Sequence, residues 1–95
     1  MASEANWKNI IKLIEYPKEG ITSKVIASTG KNNVTLFCMS NGSELLEHTS
    51  TREGIVYVIE GNGIFNLEGD DIPMKAGAFI YMEKNQKHSL KAEGN

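Results

Sequence analysis

Two histidines, His48 and His88, are the only imidazoles among 95 residues, and each belongs to a glycine-punctuated block. The first block, GSELLEHTSTREGIVYVIEG, spans 42–61, and the second, PMKAGAFIYMEKNQKH, spans 73–88. An imidazole near neutral pH can ligate a metal, carry a proton or hold a polar ligand. Two imidazoles forty residues apart act together only if strands bring them to one place. Glu53 is a further oxygen donor in the first block, and a bend at Thr51-Arg52 would be needed to turn it toward His48. Ser50 is expected beside His48, because residues two apart on a strand share a face. Its neutral hydroxyl is a poor ligand. Hydroxyls abound in His48-Thr49-Ser50-Thr51, but a nucleophilic triad needs an orienting acid and an oxyanion hole that nothing here specifies. Gly61-Asn62-Gly63 reads as a hairpin turn between strands, not as a phosphate loop opening a helix.

The elements that must position these groups read as short strands separated by polar turns. ITSKVIAS (21–28) and VTLFCMS (34–40) flank the turn cluster TGKNN (29–33). After NGSE (41–44), LLEHTS (45–50) runs out and IVYVIEG (55–61) runs back. IFNLEG (64–69), a bend at Asp70-Asp71, IPMKAG (72–77), AFIYME (78–83) and HSLKAE (88–93) follow. Pro73 suits a strand start or a sheet edge. Before Pro17, Ser3 is expected to cap a short helix over 4–9, and Asn9 to Tyr16 fits helix or strand equally. Strands every 8 to 12 residues with glycine turns predict an all-β, antiparallel sandwich or barrel.

Size and charge narrow the classes. Ninety-five residues make one small domain over 1–95, with an N-terminal arm over about 1–20. Ten basic residues against 12 acidic ones give a net charge of -2 with the signs interspersed, so no nucleic-acid face is expected. No apolar stretch approaches the roughly 18 residues of a membrane span, and no leader pattern is seen. A lone Cys38 within an apolar run fits a buried small hydrophobe and a reducing compartment, so a soluble cytoplasmic protein is expected.

The two blocks resemble the two-part signature of the cupin family. The first part, G-x5-H-x-H-x3,4-E-x6-G, is matched by Gly42, His48 and Gly61, with Ser50 at the second histidine and Gly54 at the glutamate. The second, around residues 69–88, keeps His88; Asn85 stands at a glycine position, where asparagine tolerates left-handed angles, and Gly77 matches the preceding glycine turn. The resemblance covers about Val34 to His88 and implies a jelly-roll barrel, the antiparallel double-stranded β-helix. In that family three histidines and one carboxylate hold a divalent metal such as Zn, Mn, Fe or Ni. Here His48 and His88 are the implied ligands; Glu53 stands one place before the family's glutamate position and completes the set only if the chain bends at Thr51-Arg52. The resemblance also implies a further strand after His88, so the sheet edge is expected to be completed by more chain or by a partner.

If position 54 faces inward as in the family, Gly54, Val56 and Val58 line the barrel with Ser50 and Tyr81, while Ile55, Tyr57 and Ile59 face outward. Small residues at 50 and 54 leave room near His48 for water or a small ligand, unless Phe79, Tyr81 or Met82 fills it. Phe37 and Phe65 are expected in the core. Three outward apolar side chains call for cover, either by a homodimer that the Trp7–Tyr16 segment packs across or by another element of the same subunit. Three functions follow: a barrel binding a small molecule with or without a divalent metal; a metal-dependent dioxygenase or isomerase using His48 and His88; or a metal-free structural, partner-binding dimer. Whether the chain is an enzyme stays open.

Overall fold

Alternating apolar residues between glycine-rich turns produce eight strands in the computed structural model, which describes residues 7–94. They are β1 (Ile21–Ser28), β2 (Asn33–Met39), β3 (Glu44–His48), β4 (Gly54–Tyr57), β5 (Asn62–Leu67), β6 (Asp70–Lys75), β7 (Phe79–Met82) and β8 (His88–Ala92). All pairings are antiparallel. The only helical element among the described residues is one 3-10 turn, Ile10–Leu13. Asn9 caps it, its side chain accepting from the Ile11 amide at 3.1 Å. Of the helix expected over 4–9, residues 4–6 lie outside the described residues, and 7–9 are not helical. Among the described residues, no helix is long and apolar enough to cross a membrane.

The chain divides into two compact units, Met1–Met39 and Ser40–Asn95. In the first, β1 and β2 form a two-stranded ribbon with a bulge between Val25 and Ala27. Lys24 ties the N-terminal segment to it, donating to the Leu13 carbonyl at 2.9 Å and lying 3.7 Å from Glu15. Cys38 is buried and unpaired, as its apolar run predicts, whereas Phe37 next to it is exposed. The reason is strand alternation: neighbouring side chains leave on opposite faces, and only the Cys38 face is covered.

The second unit holds a four-stranded sheet in the order β3-β8-β5-β6 and a two-stranded ribbon of β4 with β7. Hydrophobic periodicity marks where strands lie but not which strands pair. Thus 45–50 and 55–61, read as running out and back, lie in different sheets, and Gly61 is a crossing between sheets, not a hairpin turn. The β5–β6 hairpin turns two residues earlier than Asp70-Asp71. Glu68 and Gly69 both have positive φ, 51° and 90°, as a two-residue turn of the I′ type requires. Pro73 lies on β6, the edge strand, where its missing N–H costs no ladder bond. Val58, Phe65, Ile80 and Ala92 form the buried apolar set of this unit, with Ser40 and His88 the buried polar residues.

Candidate functional site

The site is built by a bulge. Strands β3 and β8 are in register at Glu44 with Lys91 and at Leu45 with Leu90, and next at His48 with His88. Three steps along β3 therefore match two along β8. Side chains alternate with a period of two, so on a regular strand a residue three places after Leu45 would leave on the opposite face. The bulge returns it to the face that carries Leu45, Leu90 and His88. The two rings meet there edge to face, their centroids 4.1 Å apart with planes at 64°.

The rings differ in exposure and share a tether. His88 is 8% exposed; His48 is open to solvent. Phe65, at 1% exposure, lies diagonally across the β5–β8 ladder from His88, pairing with Leu90 while Leu67 pairs with His88. Its ring is parallel to the imidazole within 4°, at a centroid distance of 6.0 Å. His48 Nδ1 lies 2.8 Å from the Leu46 carbonyl, and His88 Nδ1 lies 3.1 Å from the Gln86 carbonyl. A carbonyl oxygen only accepts, so both Nδ1 atoms carry the proton and donate it. Each neutral ring is thereby fixed with its lone pair on Nε2, the second-ring-nitrogen arrangement found behind imidazoles that ligate or bind through Nε2.

The other expected residues divide between faces. Register pairs Val56 with Ile80 and Gly54 with Met82, while Ile55 pairs with Tyr81 and Tyr57 with Phe79. Gly54, Val56 and Val58 share the more covered face, Val58 being buried. Tyr81 belongs to the opposite, exposed face, so it is not a companion of Val56 in lining a pocket. Phe79 is turned outward with it. Of the three side chains expected to fill the space at position 54, Met82 does so: a Cβ on Gly54 would lie 3.3 Å from its Cε. Ser50 lies beyond β3 in an exposed turn, where its hydroxyl accepts from the Arg52 amide at 3.2 Å. Its carbonyl accepts from the Asn85 amide at 2.7 Å, joining the two loops that follow His48 and precede His88. Asn85 has φ 65°, the left-handed conformation expected of it.

Glu53 is engaged elsewhere. Its carboxylate accepts a 2.5 Å hydrogen bond from the Tyr81 hydroxyl on the exposed face. That bond, then desolvation, then the charges of Glu53 and Glu83, raise the Tyr81 pKa above its ordinary 10.0. The folded chain thus holds this proton more tightly than the unfolded one. Any stability from the contact is complete below pH 10 and is lost as pH rises above it. Glu53→Ala returns the Tyr81 ionisation toward pH 10, read by ultraviolet absorbance or ring NMR shifts; an unmoved titration would mean the bond does not persist in solution.

With Glu53 so placed, no group of three or more His, Cys, Asp or Glu side chains able to hold a metal occurs among the described residues. Two imidazole Nε2 atoms are the available donors. They do not fit a metal held by the protein alone with the usual three or four ligands.

Comparison with known proteins agrees with this architecture. The cupin domain family model matches residues 35–95, so the chain belongs to the cupin domain family. The structure is similar to a conserved protein of unknown function from Streptococcus pyogenes, with TM-score 0.82 and 17% identity over 93% of this chain and 77% of that one. It is also similar to a cupin superfamily protein from Desulfitobacterium hafniense, with TM-score 0.81 and 16% identity over 87% and 76% of the two chains. KdgF from a Halomonas species gives TM-score 0.76 and 24% identity over 79% and 69%. In sequence, 41 residues are 37% identical to an oxalate-binding protein of Thermotoga maritima, covering 43% of this chain. The match spans about a third of that relative, 34% of its length. The all-β cupin fold is therefore the architecture of this chain.

Proposed function

We propose that the second unit is a small-molecule-binding module whose recognition point is the His48–His88 pair, and that its ligand is a small carboxylic acid. One observation carries the reading: two adjoining imidazoles have Nδ1 committed to main-chain carbonyls, which leaves Nε2 as the ring atom to meet a ligand. A bare Nε2 accepts a hydrogen bond from a ligand hydroxyl, and a protonated one donates to a carboxylate. His88 is fixed in the covered part of the site by Phe65, while His48 is open to arriving ligand. The carboxylic acid class is supported by the partial likeness to a protein named for oxalate binding.

Titration calorimetry of the full chain with oxalate and a panel of related hydroxy- and dicarboxylates, in the presence of chelator, tests this. Saturable binding is expected, weakened about tenfold or more in His48→Ala and in His88→Ala, each tenfold being about 1.4 kcal/mol. Binding that persists in the double variant, or no binding of any member, would end the reading. A second reading rests on the same two lone pairs: uptake that requires added Mn2+ or Zn2+ assigns them to a metal whose remaining positions the ligand itself fills.

A further inference from the structure

Arg52 is the only arginine of the chain, and it stands four residues after His48 in the bend that follows β3. Two hydrogen bonds fix that bend. The Arg52 amide donates to the Ser50 hydroxyl at 3.2 Å, and the Asn85 amide donates to the Ser50 carbonyl at 2.7 Å. The bend is thereby fastened to the loop that leads into His88. Resting on the reading of the His48–His88 pair as a carboxylate site, we infer that Arg52 is its specificity-determining residue. The guanidinium takes the second carboxylate of a dicarboxylic acid whose first carboxylate meets the imidazoles.

Reach permits it. Four residues of fully extended chain span at most about 14 Å, and a bend shortens that path, so a long side chain and a ligand can bridge it. The guanidinium is also available. Arg52 is exposed, and the ion pairs among the described residues, Lys24 with Glu15 and Lys91 with Glu44, do not involve it. Glu53, next in the chain, is the nearest competitor, but its carboxylate accepts from the Tyr81 hydroxyl at 2.5 Å on the exposed face of the β4–β7 ribbon. Chemistry supplies the rest. With Nδ1 held by the main chain, each imidazole has one ring atom left for a ligand, and two adjoining rings address one carboxyl group. A guanidinium is always charged and presents a planar fork that meets a carboxylate with two parallel hydrogen bonds. Lys84 and Lys87 lie in the loop before His88, but an ammonium is a point charge without that fork. In formal charge Glu47 and Glu83 offset the two lysines, so geometry rather than net charge is what Arg52 adds.

NMR titration of the His48 and His88 ring signals in the full chain compares oxalate and malonate with formate and acetate. The unmodified chain is expected to bind the two dicarboxylates about tenfold or more tightly than the two monocarboxylates. Arg52→Gln is expected to erase that preference, weakening oxalate and malonate about tenfold while formate and acetate stay where they were. Arg52→Lys keeps the charge without the fork and is expected to recover only part of it. Lys84→Gln, the charge control, is expected to leave the preference intact. The bonds that fix the bend come from the backbone and from Ser50, so these variants keep them, and unchanged melting temperatures verify the fold. No preference in the unmodified chain, or a preference that survives in Arg52→Gln, overturns the inference and leaves the imidazole reading standing. So does an equal loss for both ligand classes, or an equal loss in Lys84→Gln. No binding of either class by the unmodified chain, or binding untouched when both histidines are replaced by alanine, removes the imidazole reading and this inference with it.

Discussion

Phe65→Ala should unfold this protein or lower its melting temperature by more than about 10 °C. Phe65 is the largest fully buried side chain among the described residues, at 1% exposure. Truncating a buried phenylalanine costs about 3–5 kcal/mol, the lost transfer energy plus the cavity left behind. Small domains have about 5–15 kcal/mol in total, and one this size sits at the lower end. At roughly 4–8 °C per kcal/mol, the shift is far outside error in thermal denaturation followed by circular dichroism. The same substitution removes the surface against which the His88 ring lies, so the imidazole nitrogen NMR shifts of His88 should move in whatever protein stays folded. A melting temperature within a few degrees of the unmodified chain would show that Phe65 is not the centre of the core.

Gly63→Ala is the second large effect, for a different reason. Gly63 is not needed for a turn: it lies within β5, buried, in register with Ala92 of β8. A Cβ there would sit 2.5 Å from the Lys91 carbonyl oxygen and 3.4 Å from the Ala92 Cα. Both neighbours are backbone and cannot rotate aside. The two strands must part, loosening the ladder that carries His88. Overpacking of this kind costs about 1–3 kcal/mol, and more where the obstacle is rigid. A drop of about 10 °C or more is expected, with Gly30→Ala as the control, since nothing lies within 4 Å of a Cβ at that position. Equal melting temperatures for the two variants would refute the close approach.

Much of the fold is legible in the residues, because strand alternation and glycine turns are local signals. The predicted 21–28 coincides with β1, and 34–40, 78–83 and 88–93 overlie β2, β7 and β8 within a residue or two. Asn85 is read correctly at its glycine-like position for a similarly local reason. What is not legible is pairing. That 45–50 joins β8 while 55–61 joins β7 depends on long-range contacts that no window of sequence encodes. Tyr81 follows from pairing too: its face is set by its register with Ile55, not by its own neighbours. Phe37 looks like core by composition and is exposed because of which side of its strand it occupies. The approach of His48 to His88 is open to expectation from spacing. The Nδ1 bonds to Leu46 and Gln86 are not, because they depend on local backbone geometry.

The extra residue in β3 makes the imidazole pair a matter of counting. Between Leu45 and His48 stand Leu46 and Glu47, both turned to solvent, and their chemistry contributes little to the meeting of the rings. Drift in the identity of those two residues can proceed freely while the pair survives. Loss of one codon would turn the bulge into a regular ladder with the imidazoles still facing each other, whereas gain of one would demand a wider bulge to keep the first imidazole on that side of the sheet.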